Sequence, residues 1–322
     1  MNSQQHILEL IYNSDGVSVN QLSEVLNLSR QRIHRILKQL LAEEKVIKIG
    51  SAPKVLYKKN NATQSRHEQI TASSPVIESN WMLIDHIGRM HKGMNAFRIW
   101  CENRKLPVAK TIVEYELTLK KYEAFRDQSD LIDGLQKLKS TKGLDVCLSG
   151  QYYHDFYAIE RFGKTKLGQL IHFGKMTQSK KLIKEIIELT KNRLINLITL
   201  LNVDAVGYIP PTLSREVQIM KELEKGYNLT LPIIRLQKIK GEIVVPQKAL
   251  SKLKDRIANA QYSIYAKEKR QFQNVLLIDD ALGSGATINE TACKLISAKI
   301  ATKVYGYAVT GSYKGFEVIS EA

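Results

Sequence analysis

The chain has 322 residues, 43% of them apolar, with 48 Lys or Arg against 32 Asp or Glu, a formal net charge of +16. That length exceeds what one compact core usually organises, so two or three domains are expected, and the charge favours polyanions such as nucleic acid or phosphorylated ligands over cationic partners. No run approaches the roughly 20 apolar residues of a membrane span and no charged, apolar leader opens the chain, so no membrane partner and a cytoplasmic address are expected.

Residues 1–60 predict three short helices and a hairpin. Ser18 and Gln21 have capping-box spacing for a second helix running to Leu26, and Asn27 behind it tolerates the left-handed conformation of a tight turn. Ser29 caps a third helix. In it Ile33, Ile36, Leu37, Leu40 and Leu41 recur at i, i+3, i+4, i+7 and i+8, which puts them on one core-facing stripe. The exposed side carries Arg30, Gln31, Arg32, Arg35 and Lys38. Gln can pair two ways with adenine and Arg with guanine, while Lys neutralises backbone phosphate, so these are candidate DNA contacts. Val46–Ile49, a turn at Gly50–Pro53 and the stretch from Lys54 to Lys59 read as a basic hairpin, with Lys54 a further candidate contact. The segment holds nine Lys or Arg against five Asp or Glu. It resembles a winged helix-turn-helix, which implies double-stranded DNA as partner. A homodimer would suit it, because paired recognition helices reach half-sites about one helical turn apart.

Residues 61–75 are polar and read as a linker. Residues 76–144 predict a mainly helical segment, possible ground for dimerisation, with Trp81, Met82, Ile84, Ile87 and Met90 in one stretch and Tyr115, Leu117, Leu119, Tyr122 and Phe125 in another. Such positions at helical spacing belong to a core or a dimer contact rather than a cofactor site. Cys101, Cys147 and Cys293 are widely spaced, odd in number and without C-x-x-C pairing, so buried thiols are expected and neither a disulfide framework nor a zinc site. The seven histidines form no pair at metal-ligand spacing.

From residue 145 to 322 the pattern is α/β. Val275–Ile278 reads as a strand buried on both faces, followed by Asp279 and Asp280 and then by Gly283, Ser284, Gly285, Ala286 and Thr287, where a helix begins. A helix start offers unpaired N–H groups and the positive end of a dipole to a phosphate. Two carboxylates at the carboxyl end of a strand can accept hydrogen bonds from ribose hydroxyls or organise a magnesium ion. This run resembles the phosphoribosyl pyrophosphate (PRPP) motif of type I phosphoribosyltransferases.

Further stretches resemble the competence-protein ComF branch of that family. They are Tyr157–Phe162 with Leu167–Lys175, then Asp204–Arg215, then Pro246–Leu250 with Arg256 and Asn259. The resemblance implies a parallel sheet flanked by helices with PRPP at its carboxyl edge. It implies that Pro211, Ser214 and Arg215 face pyrophosphate, and that Lys248 and Arg256 belong to a loop closing over substrate. It also implies that Asp279, Asp280 and Arg215 serve catalysis and that the two acids hold Mg2+, directly or indirectly, with PRPP. The base would be read by Tyr152–Phe156 or by the tail Gly311–Glu321. Two departures matter: the cysteine-rich zinc ribbon of ComF proteins is missing, and Gly283 stands where purine-salvage members carry a carboxylate. The expectation is a DNA-binding regulator that senses PRPP or a nucleotide. The alternative is an active transferase moving ribose 5-phosphate to a nitrogen acceptor, possibly a nucleotide-modifying effector recruited to nucleic acid.

Overall fold

The structure is a computed structural model and describes residues 3–43, 45–49, 54–60, 73–140, 144–211, 213, 215–239, 255, 257–258 and 264–312. The chain divides into two compact units, residues 1–74 with 101–112, and residues 75–100 with 113–322.

In the first unit, α1 (Ser3–Tyr12), α2 (Val19–Leu26) and α3 (Arg30–Ala42) precede β1 (Val46–Ile49) and β2 (Leu56–Lys59). The capping box forms: the Ser18 N–H donates to Gln21 Oε1 at 2.8 Å and Gln21 N–H donates to Ser18 Oγ at 3.3 Å. Asn27 closes α2 in the left-handed conformation with φ of 50°, and Ser29 accepts from Arg32 N–H to start α3. Ile33, Leu37 and Leu40 are buried with Ile7, Ile11, Leu22 and Tyr57, and Ile36 and Leu41 pack at the margin. β1 and β2 pair antiparallel, and Val17 adds a bridge to Tyr57. The turn at 50–53 and residues 61–72 of the expected linker lie outside the described residues.

In the chain from Pro75 on, α4 (Pro75–Asn80), β3 (Met82–Ile84), β4 (Met90–Lys92), α5 (Gly93–Asn103), α6 (Val108–Glu123), β5 (Ile132–Asp133) and α7 (Leu135–Lys139) follow. The stretch from Trp81 to Met90 is therefore not helical. The Asp85 carboxylate accepts from Ile87 N–H and Arg89 N–H, and Gly88 takes φ of 84°, so the chain reverses and β3 pairs with β4. Trp81 packs edge-on against Phe97 and Tyr115 at 4.8 and 4.9 Å, and Tyr115 against Phe162 at 5.1 Å. These four aromatics are buried together, whereas Ile87, Leu117 and Phe125 of the same expected stripes are exposed.

The main sheet comprises β5, β6 (Gly150–Phe156), β13 (Ala301–Gly311), β12 (Phe272–Leu282) and β9 (Ala205–Tyr208), hydrogen-bonded in that order. All neighbours are parallel except β5, which runs antiparallel along β6 at one edge. The α/β expectation holds, with a strand contributed from ahead of residue 145. Tyr152–Phe156 form the carboxyl part of β6.

Alternate residues of β12 face opposite sides. Leu276 and Ile278 join α8 (Lys166–Met176) and α9 (Lys180–Leu200) in one hydrophobic core, while α11 (Ala286–Ser297) places Ile288 against Gly306 on the other face. Burying each such aliphatic side chain contributes about 1.5–3 kcal/mol. The remaining elements are the short strands β7 (Ala158–Ile159) and β8 (Gly163–Lys164), helix α10 (Ile219–Tyr227), and β10 (Leu236–Lys238) with its antiparallel partner β11 (Ile264–Ala266).

Cys147 and Cys293 are joined in a disulfide with Cα atoms 5.1 Å apart, and only Cys101 is a buried free thiol. The expectation of unpaired thiols fails because the parallel sheet brings the entry to β6 against α11. The clip is reinforced by the Asn289 side chain, which accepts from Cys147 N–H at 2.9 Å and donates to Asp145 C=O at 2.7 Å.

Candidate functional site

At the carboxyl edge of the sheet β12 runs through both acids to Leu282, then turns at Gly283 and Ser284 into α11. Gly285 is the residue before the helix. It has φ of 74° and offers no side-chain cap, and a Cβ there would stand 2.6 Å from Leu138 Cδ2 of α7. Only glycine meets both demands. Ser284 Oγ accepts from Ala286 N–H at 3.4 Å, and Thr287 is half-buried in the first helical turn. The expected strand, loop and helix start are thus in place around Gly283–Thr287.

The two carboxylates point to opposite faces. Asp280 shares the α8 side with Leu276 and Ile278, is 6% exposed, and holds the Lys175 ammonium at 2.5 Å. Lys175 lies in the last turn of α8, where a helix dipole favours a cation. Burial works against its charge, but the Asp280 charge and hydrogen bond outweigh it and hold the ammonium above its ordinary value. Asp279 accepts from Asp280 N–H at 2.8 Å. Burial, and then the neighbouring Asp280 charge, push its carboxyl above the usual range, while Lys175 and Lys238 pull it back.

Arg215 comes to the same place, donating from Nη1 to the Lys175 carbonyl at the end of α8. Pro211 is exposed in the segment after β9. Ser214, Lys248 and Arg256 lie outside the described residues, so the pyrophosphate and lid assignments made on them stay expectations. Of the tail proposed to read the base, only Gly311 and Ser312 are described. Lys137 of α7 donates to the Ser312 carbonyl, and burial pushes its ammonium down to about 8. Tyr157 bonds His172 Nδ1 at 3.2 Å, with its hydroxyl pushed up to about 12 by burial and by the Asp280 charge.

Two cations, Lys175 and Arg215, therefore stand with the two acids near a helix start whose N-cap glycine has no side chain to offer. The arrangement suits a polyanion with hydroxyl donors, as in a sugar phosphate. Lys175 was visible in the sequence only as the basic end of a helix, and Lys238 and Lys137 gave no signal.

Magnesium fits less well. It demands near-octahedral oxygen ligation. Waters and ligand phosphates can supply most of it beside one or two carboxylates, but the Asp280 carboxylate already holds an ammonium. Asp280 as placed does not fit a directly ligated ion.

On the first unit Arg30, Gln31, Arg32, Arg35 and Lys38 are all exposed along α3, opposite its buried stripe, and Lys54 is exposed beside β2. Among the described residues no helix is long and apolar enough to cross a membrane.

The MarR family model matches residues 2–52, the winged-helix segment. No curated protein matches the chain. Among solved structures, a hypoxanthine phosphoribosyltransferase from Staphylococcus aureus is similar at 16% identity and a TM-score of 0.28, over 45% of this chain and 71% of that one. An adenine phosphoribosyl transferase from Trypanosoma brucei, in complex with AMP, pyrophosphate and ribose-5-phosphate, is similar at 13% identity and 0.28, over 53% and 92%. A hypothetical protein from Neisseria gonorrhoeae with bound ppGpp is similar at 11% and 0.26, over 44% and 73%.

Proposed function

We propose that this protein is a DNA-binding transcriptional regulator whose α/β unit binds PRPP or a nucleotide and reports it to the winged helix. One observation carries the ligand half: the glycine-started helix, the two acids and the cations Lys175 and Arg215 converge at one end of the sheet. Phosphate would take the N–H groups of Gly285–Thr287, ribose hydroxyls would bond to Asp279 and Asp280, and a diphosphate would meet Arg215. The DNA half is supported by the acid-free face of α3 and by the family match to residues 2–52.

Calorimetric titration with PRPP and with nucleoside monophosphates, run beside an assay of pyrophosphate release with nucleobases as acceptors, tests the ligand half. Saturable binding without release is the expected result. Acceptor-dependent release would make the protein a phosphoribosyltransferase, and no binding of either ligand class would end the reading.

For the DNA half, Arg35→Ala should weaken binding to a selected duplex and relax preference at one base pair by about 1–3 kcal/mol. Fluorescence anisotropy decides it, since equal affinity and equal preference of the two proteins would remove Arg35 from the interface. Cytoplasmic residence and a homodimer on DNA accompany this proposal.

A further inference from the structure

We infer that the Lys175 ammonium stands in for a divalent cation beside Asp280, so that this site binds its phosphorylated ribose ligand without magnesium. The inference rests on the ligand reading above and adds the charge logic of the pocket.

The ammonium is placed by the fold and not by chance contact. Asp280 is carried to the α8 side of β12 by strand alternation, behind Leu276 and Ile278, and is almost fully buried. Lys175 is the basic residue in the last turn of the helix lying on that face, and its Nζ reaches Asp280 Oδ2 at 2.5 Å. The end of that helix is fixed in turn by Arg215, which bonds the Lys175 carbonyl. The Lys175 side chain as a whole stays partly exposed while its ammonium holds the buried carboxylate.

A dication approaching Asp280 would meet an ammonium already on the carboxylate, in a setting of low dielectric where like charges repel strongly. Displacing Lys175 would leave its charge without a partner beside a metal. Lys175 and Arg215 already bring two fixed cations to this end of the sheet before any ion arrives. What magnesium supplies to a diphosphate elsewhere, neutralisation and orientation, falls here to side chains held by the sheet and by α8.

The test is calorimetric binding of PRPP to the full chain, in EDTA and in millimolar magnesium, for wild type, Lys175→Arg and Lys175→Met. The wild type and Lys175→Arg should bind in EDTA within about threefold of their affinity in magnesium, whereas Lys175→Met should bind about tenfold more weakly in EDTA and recover with the metal. A loss of tenfold or more for the wild type in EDTA would overturn the inference while leaving PRPP as the ligand. Manganese titration followed by electron paramagnetic resonance gives a second readout that does not pass through PRPP. If PRPP binds under neither condition, the ligand reading fails and manganese alone decides the ion pair. Manganese bound tightly by the wild type overturns it; manganese bound only by Lys175→Met upholds it.

Discussion

Replacing Cys147 or Cys293 by Ser should lower the stability of the oxidised protein by about 2–5 kcal/mol. The bridge joins residues 146 apart, so it removes much of the freedom of the unfolded chain, and the loop-entropy account puts its limit at about 5 kcal/mol. Asn289 keeps residues 145–147 on α11 even without the bond, which draws the expected loss below that limit. Urea unfolding with and without dithiothreitol makes the measurement. Reduction should move the wild-type midpoint down to that of Cys147→Ser and leave the variant's midpoint unmoved. Coincident midpoints for oxidised and reduced wild type would show that the bond holds nothing that Asn289 and the sheet do not already hold. In a reducing compartment the same two half-buried sulfurs stand as thiols. The stability of the helix that begins after Gly285 then varies with the surroundings.

The second large effect belongs to Asp280→Asn. The replacement keeps the shape of the side chain and leaves the Lys175 ammonium facing a neutral amide. Removing one partner of a buried pair costs about 3–5 kcal/mol, and the partial exposure of Lys175 places this case at the lower end, about 3 kcal/mol. The loss should appear as a lower urea midpoint with unchanged slope. Combining Asp280→Asn with Lys175→Met removes the stranded charge and should restore most of the difference, a coupling that a double-mutant cycle reads directly. Additive losses would mean that water screens the pair and that the contact is incidental. Because the single variant also weakens the fold, ligand affinities measured on it need the double variant as a control.

Local signals in the sequence carried far. The caps at Ser18 and Ser29, the left-handed Asn27 and the stripe on α3 are read from neighbours a few positions apart, and all of them appear as expected. The same holds for the buried strand, the turn at Gly283 to Gly285 and the helix after it, whose order is written in consecutive residues. What stayed hidden was pairing at a distance. Lys175 and Asp280 are 105 positions apart, so the helix shows a basic end and the strand shows an acid, and nothing in either names the other. The disulfide was hidden in the same way, since an odd cysteine count argues for free thiols and only the sheet brings Cys147 to Cys293. The hairpin at Met82–Lys92 failed for a different reason: short apolar runs satisfy helical and strand periods alike, and the Asp85 turn decided between them.

Leu138 resting above Gly285 joins two stretches of chain that the sequence keeps far apart. The turn at Gly283–Gly285 follows β12, while its roof follows β5, with β6 and β13 between those two strands in the sheet. Through that one contact the helix after the edge strand β5 and the turn after β12 are packed together across the width of two intervening strands.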